Sequence, residues 1–313
     1  MTEKGTIDET IQERNQKATG IISQISSILS SICLGSYHFE IAMVLREAKF
    51  TNSVLTNSEV WHSMHTKHTE SLEKSDAALL RTILNAHSKT AIEAFYLELG
   101  IYPLKYHLSK RRFMYLWHIL HTDKSELIRK VYDLQKCKPN KGDWAKIMEE
   151  EKETYDIQLS DLEISKMSRG KFETILKKKI KVYVAQHLKS IGLNHSKSIE
   201  IASQKFEKKG YFSDRRLSKD DIQLLFKLRT KMLDCKTNFE GQFDDMSCRT
   251  CNIQQSVENE DHILYCTALN SDAHGVKFGD VYGNPDKQYK ALQVFKKILR
   301  RRKVYLDVQF PSC

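Results

Sequence analysis

Three cysteines and a histidine, Cys248, Cys251, His262 and Cys266, stand in the spacing C-x2-C-x10-H-x3-C. A C-x-x-C turn lets two sulfurs reach one ion, and a three-residue gap on a helix brings the imidazole and the third sulfur one turn apart. Three thiolates and an imidazole suit tetrahedral structural Zn²⁺ and leave no position for a reactive water. The competing readings are four unrelated residues, or a redox C-x-x-C. No thioredoxin-like βαβ pattern surrounds Cys251, which disfavours the redox reading. Around the ligands, Asp244, Asp245, Glu258, Glu260 and Asp261 face Arg249 alone, so the finger reads as a structural clasp for its basic neighbours.

Other chemistry-bearing residues lead less far. His62, His65 and His68 are spaced three and three, which turns the third away from the first, and they read as surface or packing residues. Cys235 and His274 are stand-in ligands at poorer spacing. The acidic doublets Asp220-Asp221 and Asp244-Asp245 lack the strand–turn–strand setting of a two-metal site. No Gly-rich phosphate loop, nucleophile elbow or H-E-x-x-H occurs, and no catalytic residue is assigned.

The elements that must hold these residues read as helices. The chain has 313 residues, of which 40% are hydrophobic, with 4 Pro and 12 Gly. That content excludes intrinsic disorder and argues against a turn-dense β-sandwich. No run approaches the ~18 apolar residues of a membrane span, and the first residues lack the apolar core of a signal peptide. Seven scattered cysteines do not form a disulfide framework, and a nuclear or cytoplasmic setting is expected. Ile7, Ile11, Ala18, Ile21, Ile25, Leu29 and Ile32 make one stripe on a helix over 7–32, with Thr6 and Glu9 in capping-box spacing and Gly35 at its end. Further helices are expected over 39–50, 72–84, beyond Pro103, at 221–232 and from Asn284-Pro285 onward. The fold class is mainly α: a multi-helix region over 1–100, a helical connector over 101–240, the CCHC knuckle over 241–270 and a basic tail helix over 271–313.

The formal net charge of +10 is local. Residues 149–163 hold seven acids and one Lys, whereas 166–209 hold twelve Lys or Arg and three acids. A helical projection puts Phe172, Ile175, Leu176, Ile180, Tyr183, His187 and Ile191 on one face. It puts Lys171, Lys178, Lys181 and Lys189 opposite them. The second block is Lys296, Lys297, Arg300, Arg301, Arg302 and Lys303. Cations at this density bind a polyanion such as RNA or DNA through counterion release, or else form a solvated face that maintains solubility.

Several segments together resemble one family. Glu59-Val60-Trp61 is followed by Leu72-Glu73-Lys74-x-Asp76-x2-Leu79-Leu80-Arg81-x-Ile83-Leu84, then by Ala94-Phe95-Tyr96-Leu97-Glu98-Leu99-Gly100-x2-Pro103-Leu104. Next come Arg111-Arg112-Phe113-x2-Leu116-x-His118-Ile119-Leu120, Lys141-Gly142-Asp143-Trp144 and Leu224-Leu225-Phe226-x-Leu228-Arg229-Thr230. With the terminal knuckle, this order resembles the region after the palm in non-LTR, LINE-type retrotransposon reverse transcriptases, over nearly the whole chain. The resemblance implies thumb, helical connector, zinc knuckle and basic tail, with Gly5, Ile7 and Ile11 similar to the start of the thumb. The family's aromatic-x-Asp-Asp box is missing, so the palm is expected upstream of Met1 and the chain is expected to be non-catalytic. Implied partners are RNA or DNA and a separate palm-and-fingers polypeptide, with no membrane. The alternative is a helical protein–protein adaptor with a structural zinc knuckle and no nucleic-acid binding.

Overall fold

The computed structural model describes residues 6–31, 37–62, 64–140, 142–239, 241–251, 253, 256–269 and 275–309. In chain order the helices are α1 (Ile7–Ser31), α2 (His38–Leu45), α3 (Asn52–Val54), α4 (Thr66–Leu84), α5 (Ile92–Leu99), α6 (Leu104–His121), α7 (Leu127–Cys137), α8 (Trp144–Thr154), α9 (Asp161–Ser165), α10 (Arg169–Leu193), α11 (Ile199–Ala202), α12 (Lys219–Arg229), α13 (Glu260–Tyr265) and α14 (Pro285–Gln309). Extended pairing among the described residues is confined to a bridge between Ser247 and Val257. The fold is mainly α, as the periodicity predicts. No described helix is long and apolar enough to cross a membrane.

Local chemistry explains the helix ends. Thr6 and Glu9 exchange the two reciprocal bonds of a capping box at the start of α1. Ile32 and Gly35, expected at its other end, lie outside the described residues. The helix expected over 39–50 changes character at Arg46: Arg46–Thr51 is a π-helical turn, and its Arg46, Phe50 and Thr51 are all buried. The helix expected to open at Asp221 begins at Lys219, because Ser218 is its cap and Asp221 completes the capping box as the third helical residue. It stops at Arg229 rather than Met232, since Lys231 takes a left-handed φ of 50°. Asn284 accepts from the Lys287 N–H at 3.0 Å and so caps α14 ahead of Pro285.

The chain forms two compact units, each discontinuous in sequence: Met1–Ile32, Ile41–Leu80 and Ile101–Ser190 in one, Cys33–Glu40, Arg81–Gly100 and Ile191–Cys313 in the other. The first buries Ile11, Ile21 and Ile25 of α1, Leu72 and Leu79 of α4, Phe113 and Leu116 of α6, and Phe172 and Leu176 of α10. Two buried arginines there are paired with acids. Arg46 reaches Asp76 through Nε at 2.8 Å and Nη2 at 2.6 Å, and Nη2 also donates to the Tyr102 carbonyl. Arg112 joins Glu151 at 2.8 Å and the Trp61 carbonyl at 2.9 Å, while Trp144 Nε1 donates to the Glu59 carbonyl at 2.7 Å.

The second unit is organised around a fully buried ion pair. Arg229 and Glu98 are both 0% exposed, and Arg229 meets the carboxylate through Nε and Nη2 at 2.8–3.0 Å. Its Nη1 donates to the Val281 carbonyl at 2.7 Å, Tyr211 donates to Glu98 Oε2 at 2.6 Å, and the Tyr211 and Tyr282 rings lie against the guanidinium. Phe95 and Phe226 stack beside the pair with centroids 5.4 Å apart. Gly100 closes α5 in the left-handed region at φ 62°, and a Cβ there would stand 2.2 Å from the Lys208 backbone nitrogen. Gly100→Ala is therefore expected to cost at least about 2 kcal/mol, from left-handed strain plus backbone overlap. A thermal melt followed by circular dichroism should fall by several degrees; an unchanged melt would contradict the close approach.

Candidate metal centre and basic surface

The knuckle is assembled from a short extended pairing and a helix N-terminus. The Cys248 N–H donates to the Ser256 carbonyl and the Glu258 N–H to the Met246 carbonyl, both at 2.9 Å. This pairing leads the chain into α13, whose cap Asn259 accepts from the His262 N–H at 2.7 Å. Cys248 and Cys251 occupy the turn before the pairing returns; His262 stands in the first turn of α13 and Cys266 at its C-terminal end.

The four ligand atoms all lie within 4.8 Å of one another, and no other such group occurs among the described residues. Cys248 Sγ and Cys266 Sγ are 3.9 Å apart, and Cys251 Sγ and His262 Nε2 are 3.4 Å apart. Metal bonds of ~2.3 Å to sulfur and ~2.0–2.1 Å to nitrogen give tetrahedral edges of roughly 3.8 and 3.6 Å. The site can hold a metal ion, and its donor set and dimensions are compatible with zinc. Cys248 and Cys266 are buried, and Cys251 and His262 half-buried. Burial pushes the Cys266 thiol up to about 11, and it lowers the pKa of His262. A cation among the donors favours the thiolate form that burial opposes.

Around the ligands sits a polar lock that the spacing of the sequence does not announce. Glu258 is 0% exposed and accepts from the Arg249 N–H at 2.8 Å and from both Arg249 and Arg302 guanidinium groups. Although burial would raise the Glu258 pKa, the bonds from Arg249 and the charges of both arginines hold it below its ordinary value. Arg302 belongs to α14, so this carboxylate ties the knuckle to the basic helix. Glu260 accepts from Asn238 Nδ2 at 2.7 Å, and Asp245 pairs with Lys236 at 3.3 Å. The acidity counted in the finger is thus partly neutralised from outside it. The signal for this lock is non-local: Glu258 and Arg302 are 44 residues apart.

The remaining candidates sort clearly. Lys171, Lys178, Lys181 and Lys189 are all exposed on α10, with no ion-pair partner among the described residues. Their spacing places them within about an 80° arc along roughly 27 Å of helix. Their neighbours Lys177 and Lys179 are engaged by Glu173 and Asp156. The buried line of α10 is Phe172, Leu176, Ile180, Val184 and Leu188, at four-residue steps. The expected face put Tyr183, His187 and Ile191 in that role, but they flank the line half-buried, because four-residue ridges wind slowly across a helix. On α14, Lys297, Arg300 and Lys303 are exposed, whereas Lys296 pairs with Asp221 at 2.5 Å and Arg302 is buried on Glu258. Arg301 donates to the Leu269 carbonyl at 3.2 Å. The six-cation block is therefore divided between fold and surface.

His68 bonds Asp8 at 2.8 Å through Nε2 and accepts from the His65 N–H through Nδ1, a packing role. Cys235 is buried outside the cluster, its thiol pKa raised by burial. His274, Cys33, Cys313 and Lys141 lie outside the described residues. No protein-family model, curated protein or solved structure matches the chain.

Proposed function

We propose that this protein is a non-catalytic nucleic-acid-binding relative of the thumb, connector and knuckle portion of LINE-type reverse transcriptases. The observation that carries the reading is the row of four unengaged lysines along one face of α10, beside lysines of the same helix that are paired. Such a row tracks a phosphate backbone and releases its counterions. The segments that carry the resemblance interlock within each unit, Trp144 on Glu59 and Arg229 on Glu98, which supports reading them as one inherited architecture. The bound metal is zinc, held by Cys248, Cys251, His262 and Cys266 in a structural role. The Glu258–Arg302 contact lets this clasp fix α14, with Lys297, Arg300 and Lys303 outward.

The test is fluorescence anisotropy of the full chain at low salt with single-stranded RNA and with duplex DNA. Binding of either supports the reading. Exchanging Lys178 and Lys181 for Ala should weaken that binding roughly tenfold, whatever the sequence of the probe. If neither probe binds, the helical adaptor takes its place. That second reading has an observation of its own: Leu127, Val131 and Leu134 of α7 are 75%, 44% and 61% exposed at helical spacing, an apolar stripe suited to a partner helix.

A further inference from the structure

A groove of about 680 Å³ opens along α10, between that helix and residues 154–156. Its lining includes the aromatic rings of Tyr155 and Tyr183 and the aliphatic side chains of Ile175 and Val182. Tyr155 and Tyr183 meet edge-on with centroids 5.1 Å apart, Tyr183 stacks on His187 at 5.7 Å, and the Tyr155 hydroxyl donates to Ser109 Oγ at 3.0 Å. Tyr155 is itself buried, so the half-buried Tyr183 is the ring that the groove offers, and packing fixes it before any ligand arrives. Val182 is 50% exposed, an apolar side chain left open to solvent at the groove. Lys178 lines the groove and Lys181 directly precedes Val182; neither has an ion-pair partner among the described residues. Lys179, by contrast, is engaged by Asp156.

The ligand that matches is flat and apolar at one end and anionic within a few ångströms. An apolar peptide segment would leave both cations without counter-charge. Duplex nucleic acid would satisfy the cations but keeps its bases stacked inside, leaving the groove empty. An unpaired nucleotide offers both parts: a π-face for the recess and phosphates for the rim. We infer that this groove receives an unpaired base of a single strand whose phosphates lie on Lys178 and Lys181. The inference rests on the nucleic-acid reading above, and adds that the strand is single and is held through a base as well as through its backbone. Base stacking on aromatic side chains strengthens binding roughly fivefold or more per base and tolerates any sequence.

The experiment compares two fluorescent strands of equal length against the full chain at low salt: oligothymidine, and the same backbone carrying abasic residues throughout. Oligothymidine should bind at least about fivefold tighter. Val182→Trp, filling the groove from an exposed position, should bring oligothymidine to the abasic affinity while leaving the abasic strand unchanged. Gln186→Trp, from a second exposed lining position, should do the same and guards against a fault peculiar to one variant. Equal affinities for the two strands in the unmodified protein would overturn the groove while leaving the lysine row intact. A base preference that survives both tryptophans would also overturn it, by placing the base elsewhere. Failure of both strands to bind would overturn the groove, whereas the nucleic-acid reading falls only if the single-stranded RNA and duplex DNA probes above also fail.

Discussion

Exchanging Cys248 and Cys251 for Ala is expected to abolish stoichiometric zinc and to unfold the knuckle over 241–269, while the α-helical signal of the rest persists. Two of four ligands are lost, and structural zinc contributes apparent binding free energies of about 10–16 kcal/mol in isolated fingers at neutral pH. Besides the ligands, the segment is held by a small apolar cluster at Ile263, Leu264 and Leu269 and by the Glu258 lock. Its backbone pairing is a single bridge, α13 has six residues, and the carboxylate of Glu258 is enclosed by Arg249 and Arg302. Elemental analysis of the purified, reduced protein should give one zinc per chain, and none in the variant. Limited proteolysis should then cut within 241–269 in the variant alone. A full zinc content in the variant would mean that the ion sits elsewhere. No zinc in the unmodified protein would mean that the four residues converge for another reason.

The second large effect is expected from Glu98→Gln. The substitution keeps shape, but it replaces one acceptor oxygen with an NH2 donor and leaves the Arg229 guanidinium, 0% exposed, without a counter-charge. Removing one partner of a buried ion pair costs about 3–5 kcal/mol, a large fraction of the stability of most domains. The cost comes from the orphaned charge more than from lost attraction, which gives the prediction a second arm. Replacing both residues, as Glu98→Gln with Arg229→Met, should recover most of the loss in a urea titration. A double variant as unstable as the single one would show instead that the hydrogen bonds to Tyr211 and Val281 carry the site.

The convergence of Cys248, Cys251, His262 and Cys266 was legible in the sequence because its geometry is local. A turn and one helical turn place each pair of donors, and nineteen residues contain all four. The helices were legible where caps are local too, as at Thr6 and Glu9 and at Asn284. Where the deciding contact is remote, the sequence is silent. Nothing near Arg302 distinguishes it from Arg300, yet one is buried on Glu258 and the other is exposed. Lys179 and Lys178 are equivalent in any charge count, and only the position of Asp156, 23 residues back, engages the first. The π-helical turn at Arg46–Thr51 lacks a compositional signal, and it lies where a buried arginine meets Asp76 from another helix. Glu98 and Arg229 fall in two segments of the family resemblance, but their pairing across 131 residues is a property of the fold.

The reading turns on whether the lysine row of α10 holds phosphates, and salt dependence measures that most directly. Affinity for a single-stranded RNA should be followed across a salt series for the unmodified chain and for the variant with Lys171, Lys178, Lys181 and Lys189 changed to Ala. The logarithm of affinity should fall linearly with the logarithm of salt concentration. The variant's slope should be shallower by about 3, close to 0.7 for each phosphate no longer neutralised. Equal slopes for the two proteins would contradict the account, because the row would then touch no phosphate.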